Sequence, residues 1–350
     1  MDGRKRTRRG AAAPLRPNVS NVKAIFCAVV LSLLAGAPGS AQQTLTVVRV
    51  AGVQTDDITP LVYAIKSGMF ARVGLDVQSM PTNSGAATAA AVVSGSYDIG
   101  KSSLLSLMNA HLRNVPLVVI AAGVVHDTKS PFAKLVVASN APYRTGKDFD
   151  GKTIAVSALN DLSTVSVDTW LEKNGGDARS VHFAELPVSA MLAAVEEHRV
   201  DAAFMLYPPL AEAMSSGKVR AVSVPYDAIA PFFVLSGWFT TADYATRHPD
   251  VIRSFVRVMY AAATYANRHP ADTAPMMSDL TKVPMSIYAT MPRVGAATST
   301  NPRDWQPLID AAAKYGVIPR SFPAKDFIWS SPKGSLAVGR SVQGEIARRM

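Results

Sequence analysis

The chain has 350 residues, 48% of them hydrophobic, with 36 Lys and Arg against 26 Asp and Glu and a formal net charge of +10. That length and apolar share allow a large core and about two domains. Seven basic residues and one acidic residue fall within residues 1–41, so six of the ten formal charges belong to that stretch; the remainder forms no basic stripe and no aromatic-interleaved basic patch, which excludes the usual footprint of a nucleic-acid-binding chain.

Residues 1–41 stand apart from the rest. Arg4, Lys5, Arg6, Arg8, Arg9, Arg16 and Lys23 precede an apolar run from Ile25 to Ala37, and Gly39, Ser40 and Ala41 follow. This is the layout of a cleavable secretory signal peptide, and it predicts a periplasmic protein. Thr7-Arg8-Arg9 resembles a twin-arginine signal, but the apolar run begins too far downstream, which favours the general export route. An uncleaved anchor is the competing reading, and the run is shorter than the ~20 residues that span a bilayer. The only cysteine, Cys27, lies inside this run, so the mature chain is expected to hold no disulfide, thiol nucleophile or zinc-thiolate site.

After the leader, Thr46 to Ala51 is β-branched and reads as strand. Thr59-Pro60 opens a helix, with apolar Leu61, Ala64 and Ile65 and a stop at Gly68. Leu75 to Val77 is the next strand; Ser84-Gly85 opens a helix of small residues ending at Gly95; Tyr97 to Gly100 is strand; Ser102-Ser103 caps a further helix; and Leu117 to Ala122 is a buried strand. Phe132 to Ser139 is another strand, after which the pattern restarts. Thr153 to Ser157 is strand, Asn160 to Thr164 a polar loop, Val165 to Lys173 helix, Val181 to Ala184 strand, Ser189 to His198 helix and Ala202 to Met205 strand. Pro208-Pro209 begins a helix, Arg220 to Val224 is strand, and Phe232 to Trp238 is the last strand expected. Beyond it the chain reads as helical at Pro249–Asn267, Ala271–Leu280, Met285–Met291 and Trp305–Tyr315.

A faint internal echo accompanies this order. Val93 to Gly100 and Glu197 to Ala203 both run helix end, turn, Asp, strand, and Ser130-Pro131-Phe132 and Ala230-Pro231-Phe232 both introduce strands. The echo fits two similar α/β lobes, with the chain crossing over at one Pro-Phe strand and returning at the other.

Four motifs in order then carry a resemblance: Pro60-Leu61 to Ala64 with Gly68-Met69-Phe70 and Gly74-Leu75-Asp76-Val77; Ser94-Gly95-Ser96-Tyr97-Asp98-Ile99-Gly100; Phe149-Asp150-Gly151-Lys152 with Thr153 to Val156; and Val200-Asp201-Ala202-Ala203 with Tyr207-Pro208. His248-Pro249 and Leu308 to Gly316 extend it. Across nearly the whole mature chain the sequence resembles the substrate-binding proteins of bacterial ABC importers for sulfonates, taurine, nitrate and related small compounds. The resemblance implies an α/β, two-lobed periplasmic-binding-protein fold of type II. Each lobe is a mixed, mostly parallel sheet flanked by helices, and two crossover strands join them. Lobe I is expected over 44–138 and 232–330, lobe II over 139–231, and a flexible tail over 331–350. The implied partners are a small-molecule ligand and the permease and ATPase subunits of an importer, with no nucleic acid, no cofactor and no metal, and the chain acting as a monomer.

In such a fold, strand C-termini and helix N-termini of both lobes face one cleft, a setting that favours an anionic head group. The candidate ligand-binding residues are Thr55, Asp56, Ser84, Gly85, Ser102 and Ser103 from lobe I, Asn160, Asp161, Ser163, Tyr207 and Pro208 from lobe II, and Trp238 near the hinge. Each has a plainer reading. Ser84, Ser102 and Ser163 suit helix N-caps, Asp56 and Asp161 suit solvated loop charges, Tyr207 suits the lobe interface, and Trp238 suits the core. The cleft loops contain no Arg, the side chain best fitted to a bidentate anion; Lys101 and Lys129 are the nearest basic groups. A ligand gripped by backbone N–H groups, hydroxyls and apolar contact is therefore easier to accommodate than a bare inorganic anion. A carboxylate facing inward would suit an amino group instead.

No GxGxxG, phosphate loop or GxSxG elbow is present, and the six histidines (His111, His126, His182, His198, His248, His269) show no metal-ligand spacing. The expected function is capture of a small organic solute, such as a sulfonate, a taurine-like compound or a carboxylate, and its delivery to a permease, without catalysis. A ligand-binding sensory module and a pyrimidine-precursor enzyme on the same fold are the alternatives. The first lacks a helix-turn-helix or transmembrane segment here, and the second lacks its cysteine-rich motif.

Overall fold

The computed structural model describes residues 44–330. The signal segment expected over 1–41, with Cys27, and the tail expected over 331–350 lie outside the described residues. In chain order the first part comprises β1 (Thr46–Gly52), α1 (Thr59–Lys66), β2 (Leu75–Pro81), α2 (Gly85–Val93), β3 (Ile99–Ser103), α3 (Leu104–Leu112) and β4 (Leu117–Ala122). The middle comprises β5 (Val124–Asp127), β6 (Ala133–Ala138), β7 (Thr153–Val156), α4 (Leu162–Lys173), β8 (His182–Glu185), α5 (Val188–Glu196), β9 (Ala202–Leu206), α6 (Pro209–Ser215), β10 (Val219–Ser223) and α7 (Tyr226–Ile229). The last part comprises β11 (Phe232–Val234), β12 (Ser236–Thr241), α8 (Ala242–Arg247), α9 (Pro249–Arg268), α10 (Pro270–Thr281), α11 (Met285–Tyr288), β13 (Gly295–Ala296) and α12 (Gln306–Lys314).

Two five-stranded sheets follow one plan. The first has the order β2-β1-β3-β12-β4 and the second β8-β7-β9-β6-β10. In each, the first strand pairs in parallel with the second and third, and one strand contributed from across the molecule runs antiparallel between the third and the fourth. The internal echo has its physical basis here. Asp98, just before β3, accepts from the Arg49 N–H of β1 at 2.8 Å and returns its own N–H to the Arg49 carbonyl at 2.9 Å. Asp201, just before β9, does the same to Thr153 of β7 at 2.9 and 2.8 Å. Each carboxylate closes the start of its sheet on an N–H that the ladder leaves over.

The lobes are joined by β5 and β11, an antiparallel pair in which His126 lies opposite Phe233 and to which β13 adds two residues. This moves the expected boundary. Residues 133–138 are expected in lobe I, but β6 pairs with β9 and β10, so the chain leaves the first lobe at β5. The expected strand Phe232 to Trp238 is likewise two strands, β11 in the hinge and β12 in the first sheet. The apolar run from Leu117 to Val125 hides the break between β4 and β5, because both strands are buried on both faces.

Side-chain alternation sets the layers. In lobe II, Leu135, Ile154 and Phe204 point to one face of the sheet and Val136, Ala155 and Ala203 to the other. In lobe I, α9 buries Ile252, Phe255, Met259, Ala262, Ala263 and Ala266, a helical stripe, beside Phe70 and Trp238. Phe255 stacks on Phe70 at 5.5 Å between ring centres and meets the Trp238 indole edge-on at 5.8 Å. No described helix is long and apolar enough to cross a membrane.

Candidate functional site

A cleft of about 610 Å³ opens where the C-terminal ends of β1 and β3 face those of β7 and β9. Its size lies within the ~300–1,000 Å³ common for small-molecule sites. Val53 to Asp57, Gly85 and Lys101 to Ser103 form one jaw, and Ser157, Asp161 to Ser163 and Leu206 to Pro208 form the other. Val124, Leu235 and Ser236 from the hinge side line it too, and Thr281, Val283, Tyr288 and Val294 make a lateral wall.

Of the expected residues, Thr55, Asp56, Gly85, Ser102, Ser103, Asp161, Ser163, Tyr207 and Pro208 line this cleft. Ser84, Asn160 and Trp238 do not. Ser84 caps α2, accepting from the Ala87 N–H at 3.1 Å. Asn160 turns the chain with φ 53° ahead of α4. Trp238 points into the lobe I core, because the alternation along β12 turns it toward α9.

The acidic residues have different fates. Asp56 receives Arg293 through Nε at 3.0 and 3.1 Å and through Nη2 at 2.6 Å, and the Val294 N–H at 3.2 Å. Its carboxylate is thus committed to holding the lateral wall against β1, rather than solvated as a loop charge would be. Asp57 accepts from the Thr55 hydroxyl at 2.6 Å and pairs with the Lys101 ammonium. Lys101 is not a surface charge at a strand end: its side chain is 5% exposed. Lys129 does not line the cleft. Asp161 forms no ion pair among the described residues, and burial pushes its carboxyl above the usual range. Burial and the Asp161 charge together push the Tyr226 phenol up.

The hydroxyls divide similarly. Ser103 caps α3, accepting from the Ser106 N–H at 3.3 Å. Ser102 and Ser163, 5% and 3% exposed, carry buried hydroxyls with no hydrogen-bond partner among the described residues. Gly85 fits closely over the first of these: a Cβ at that position would stand 2.3 Å from the Ser102 Oγ. Two buried unsatisfied hydroxyls, one in each jaw, are unusual, since such groups are normally paired.

Magnitudes decide which charge the cleft favours. The N-termini of α2, α3 and α4 all reach it, and each is worth about 0.3–1 kcal/mol toward an anion. Two of them already have an orphan N–H satisfied by Ser84 and Ser103. A carboxylate about 4 Å from a ligand charge acts with about 4 kcal/mol near a protein surface. Asp161, itself the N-cap of α4, sets a carboxylate against these helix ends, and among the described residues no Arg lines the cleft.

A sequence profile described as NMT1/THI5 like matches residues 55–273, well over half of the chain. The chain belongs to the NMT1/THI5-like family. Solved structures agree on the fold of this NMT1/THI5-like chain. The periplasmic aliphatic sulphonate binding protein of Escherichia coli is 17% identical with a TM-score of 0.69, covering 84% of this chain and 96% of that one. The alkanesulfonate-binding protein of Xanthomonas axonopodis pv. citri bound to MOPS is 18% identical with a TM-score of 0.62, covering 81% and 98%. The ligand-binding component of an ABC-type import system from Staphylococcus aureus is 13% identical with a TM-score of 0.68, covering 82% and 97%. A sequence comparison with curated proteins finds no match. The chain thus has the periplasmic-binding-protein fold, as its motifs implied.

Within this NMT1/THI5-like chain several lining residues carry no signal in the sequence. Phe204, Leu206 and Tyr226 receive no site reading in the sequence, Phe132 reads only as the start of a crossover strand, and Thr281 to Val294 lie in a region that reads only as helical. Nothing local marks Thr281 to Val294, because they reach the cleft only after the chain returns through β11. Among the described residues no group of three or more His, Cys, Asp and Glu is placed to hold a metal ion.

Proposed function

We propose that this protein is the periplasmic solute-binding component of an ABC importer, which captures a small organic ligand in the interlobe cleft by hinge closure and delivers it to a membrane permease. The observation that carries the reading is the pair of unpartnered buried hydroxyls, Ser102 and Ser163, set in opposing jaws of one cleft. Family membership and the fold shared with sulfonate-binding and import proteins support it. Binding is favoured over catalysis because, among the described residues, the cleft is lined by no His or Cys, and neither serine has a base within hydrogen-bond reach. The motifs resemble those of binding proteins for sulfonates, taurine and related small compounds; without a lining Arg, the cleft offers more to the organic body of a solute than to an anionic head.

Native mass spectrometry of the purified protein tests this. One small molecule per chain is expected to co-purify, and adding it back at about 100 times its dissociation constant should stabilise the fold by about 2.7 kcal/mol. Chemical turnover of that molecule, or the absence of any co-purified solute, would sink the importer reading.

A further inference from the structure

The charges of the cleft select a class of solute, a step that rests on the solute-binding reading. The Asp56 carboxylate is held by Arg293, and the Asp57 carboxylate by Lys101. Among the described residues Lys101 is the only Lys or Arg that lines the cleft, so an anionic ligand would have to break the pair with Asp57 to gain a countercharge. Asp161 is the acidic group left over, one jaw across from those pairs and two residues from Ser163, which is 3% exposed and whose buried hydroxyl has no partner among the described residues. Around it the lining is aromatic, with Phe132, Phe204, Tyr207 and Tyr226. Ring faces attract cations and exclude water from apolar bodies.

We infer that the cleft takes an organic monocation, an apolar or aromatic body carrying one protonated nitrogen, with the Asp161 carboxylate as its counter-ion and the Ser163 hydroxyl accepting a second N–H. A ligand of this class completes the charge balance of the site, since each of the other two lining carboxylates already has its cation. It also gives the unpartnered serine a donor to accept from. A sulfonate of the same size would bring a second negative charge against Asp161, with Lys101 already committed to Asp57.

Matched probes separate the classes. Benzylamine is compared with phenylmethanesulfonate, and hexylamine with hexanesulfonate, by isothermal calorimetry on the purified protein at neutral pH. Each amine is expected to bind at least tenfold more tightly than its sulfonate partner. Asp161→Asn should abolish that preference while leaving the circular-dichroism spectrum unchanged, and Asp161→Glu should restore part of it. Sulfonates binding as tightly as the amines, or an Asp161→Asn variant that keeps the preference, would overturn the inference and leave the solute-binding reading intact. Binding of neither series overturns the inference as well. The solute-binding reading is judged separately, by the co-purified molecule.

Discussion

Asp168 stands on the buried side of α4 with one carboxylate oxygen that no donor reaches among the described residues, and Glu172 lies one turn further along the same helix. Burial first, and the Glu172 charge second, push its carboxyl up to about 7 from an ordinary value of 3.8. A folded-state value above the unfolded one means that the folded chain holds the proton more tightly. Stability from this group is complete below about pH 4 and is lost as pH rises toward and through 7. A shift of that size corresponds to about 4 kcal/mol at most, and partial solvent access brings it to about 1–3 kcal/mol. Asp168→Asn removes the charge and keeps the shape. Its melting temperature should exceed the parent's at pH 8, with the gap closing toward pH 4. A gap of equal size at both pH values would show that ionisation of Asp168 is not what limits stability.

The two sheets share a device at the level of elements, a carboxylate before the third strand that satisfies the first. Asp201 accepts from the Thr153 N–H and from the Tyr143 hydroxyl, the latter at 2.6 Å, and this bond pushes the Tyr143 phenol up to about 12. Asp98 accepts from the Arg49 N–H and from its guanidinium at 2.8 and 3.1 Å. Truncating either leaves a strand N–H without its acceptor, which costs about 1–3 kcal/mol. Asp98→Ala and Asp201→Ala should therefore destabilise by similar amounts in urea unfolding. A loss under about 0.5 kcal/mol for either would show that water substitutes for the carboxylate. These aspartates are visible in the sequence because turn and strand start are consecutive in the chain, and the caps Ser84 and Ser103 are visible for the same reason. The hinge is not. Its β5 and β11 are four and three residues long, too short for an alternation to develop, and they meet only through pairing. The site is half legible: loops that follow strands announce themselves, whereas Arg293, which commits Asp56 from 237 positions away, has no local signature.

Across the whole molecule, one hydrophobic cluster runs through both lobes. It joins Leu104, Val119 and Phe239 of lobe I to Phe149, Trp170 and Phe204 of lobe II, with Phe233 of the hinge and Trp305, Leu308 and Ile309 around the start of α12 between them. The last helix also ties itself to lobe II through polar contacts, where Glu172 of α4 accepts from Lys314 and, at 2.9 Å, from the Tyr315 hydroxyl. That ion pair is exposed enough to contribute little. The apolar seam is what couples the lobes, and it predicts that they unfold together. Leu308 is wholly buried in the seam. Leu308→Ala leaves a cavity and should cost about 2–5 kcal/mol. In a chain of this size each kcal/mol lowers the melting temperature by about 1–2 °C. Differential scanning calorimetry is expected to show one transition in both proteins, displaced downward in the variant without broadening. Two resolved transitions in the parent would mean that each lobe carries its own core, and that α12 merely covers the hinge. A parent with one transition and a variant with two would place Leu308 among the contacts that make the lobes unfold as one unit.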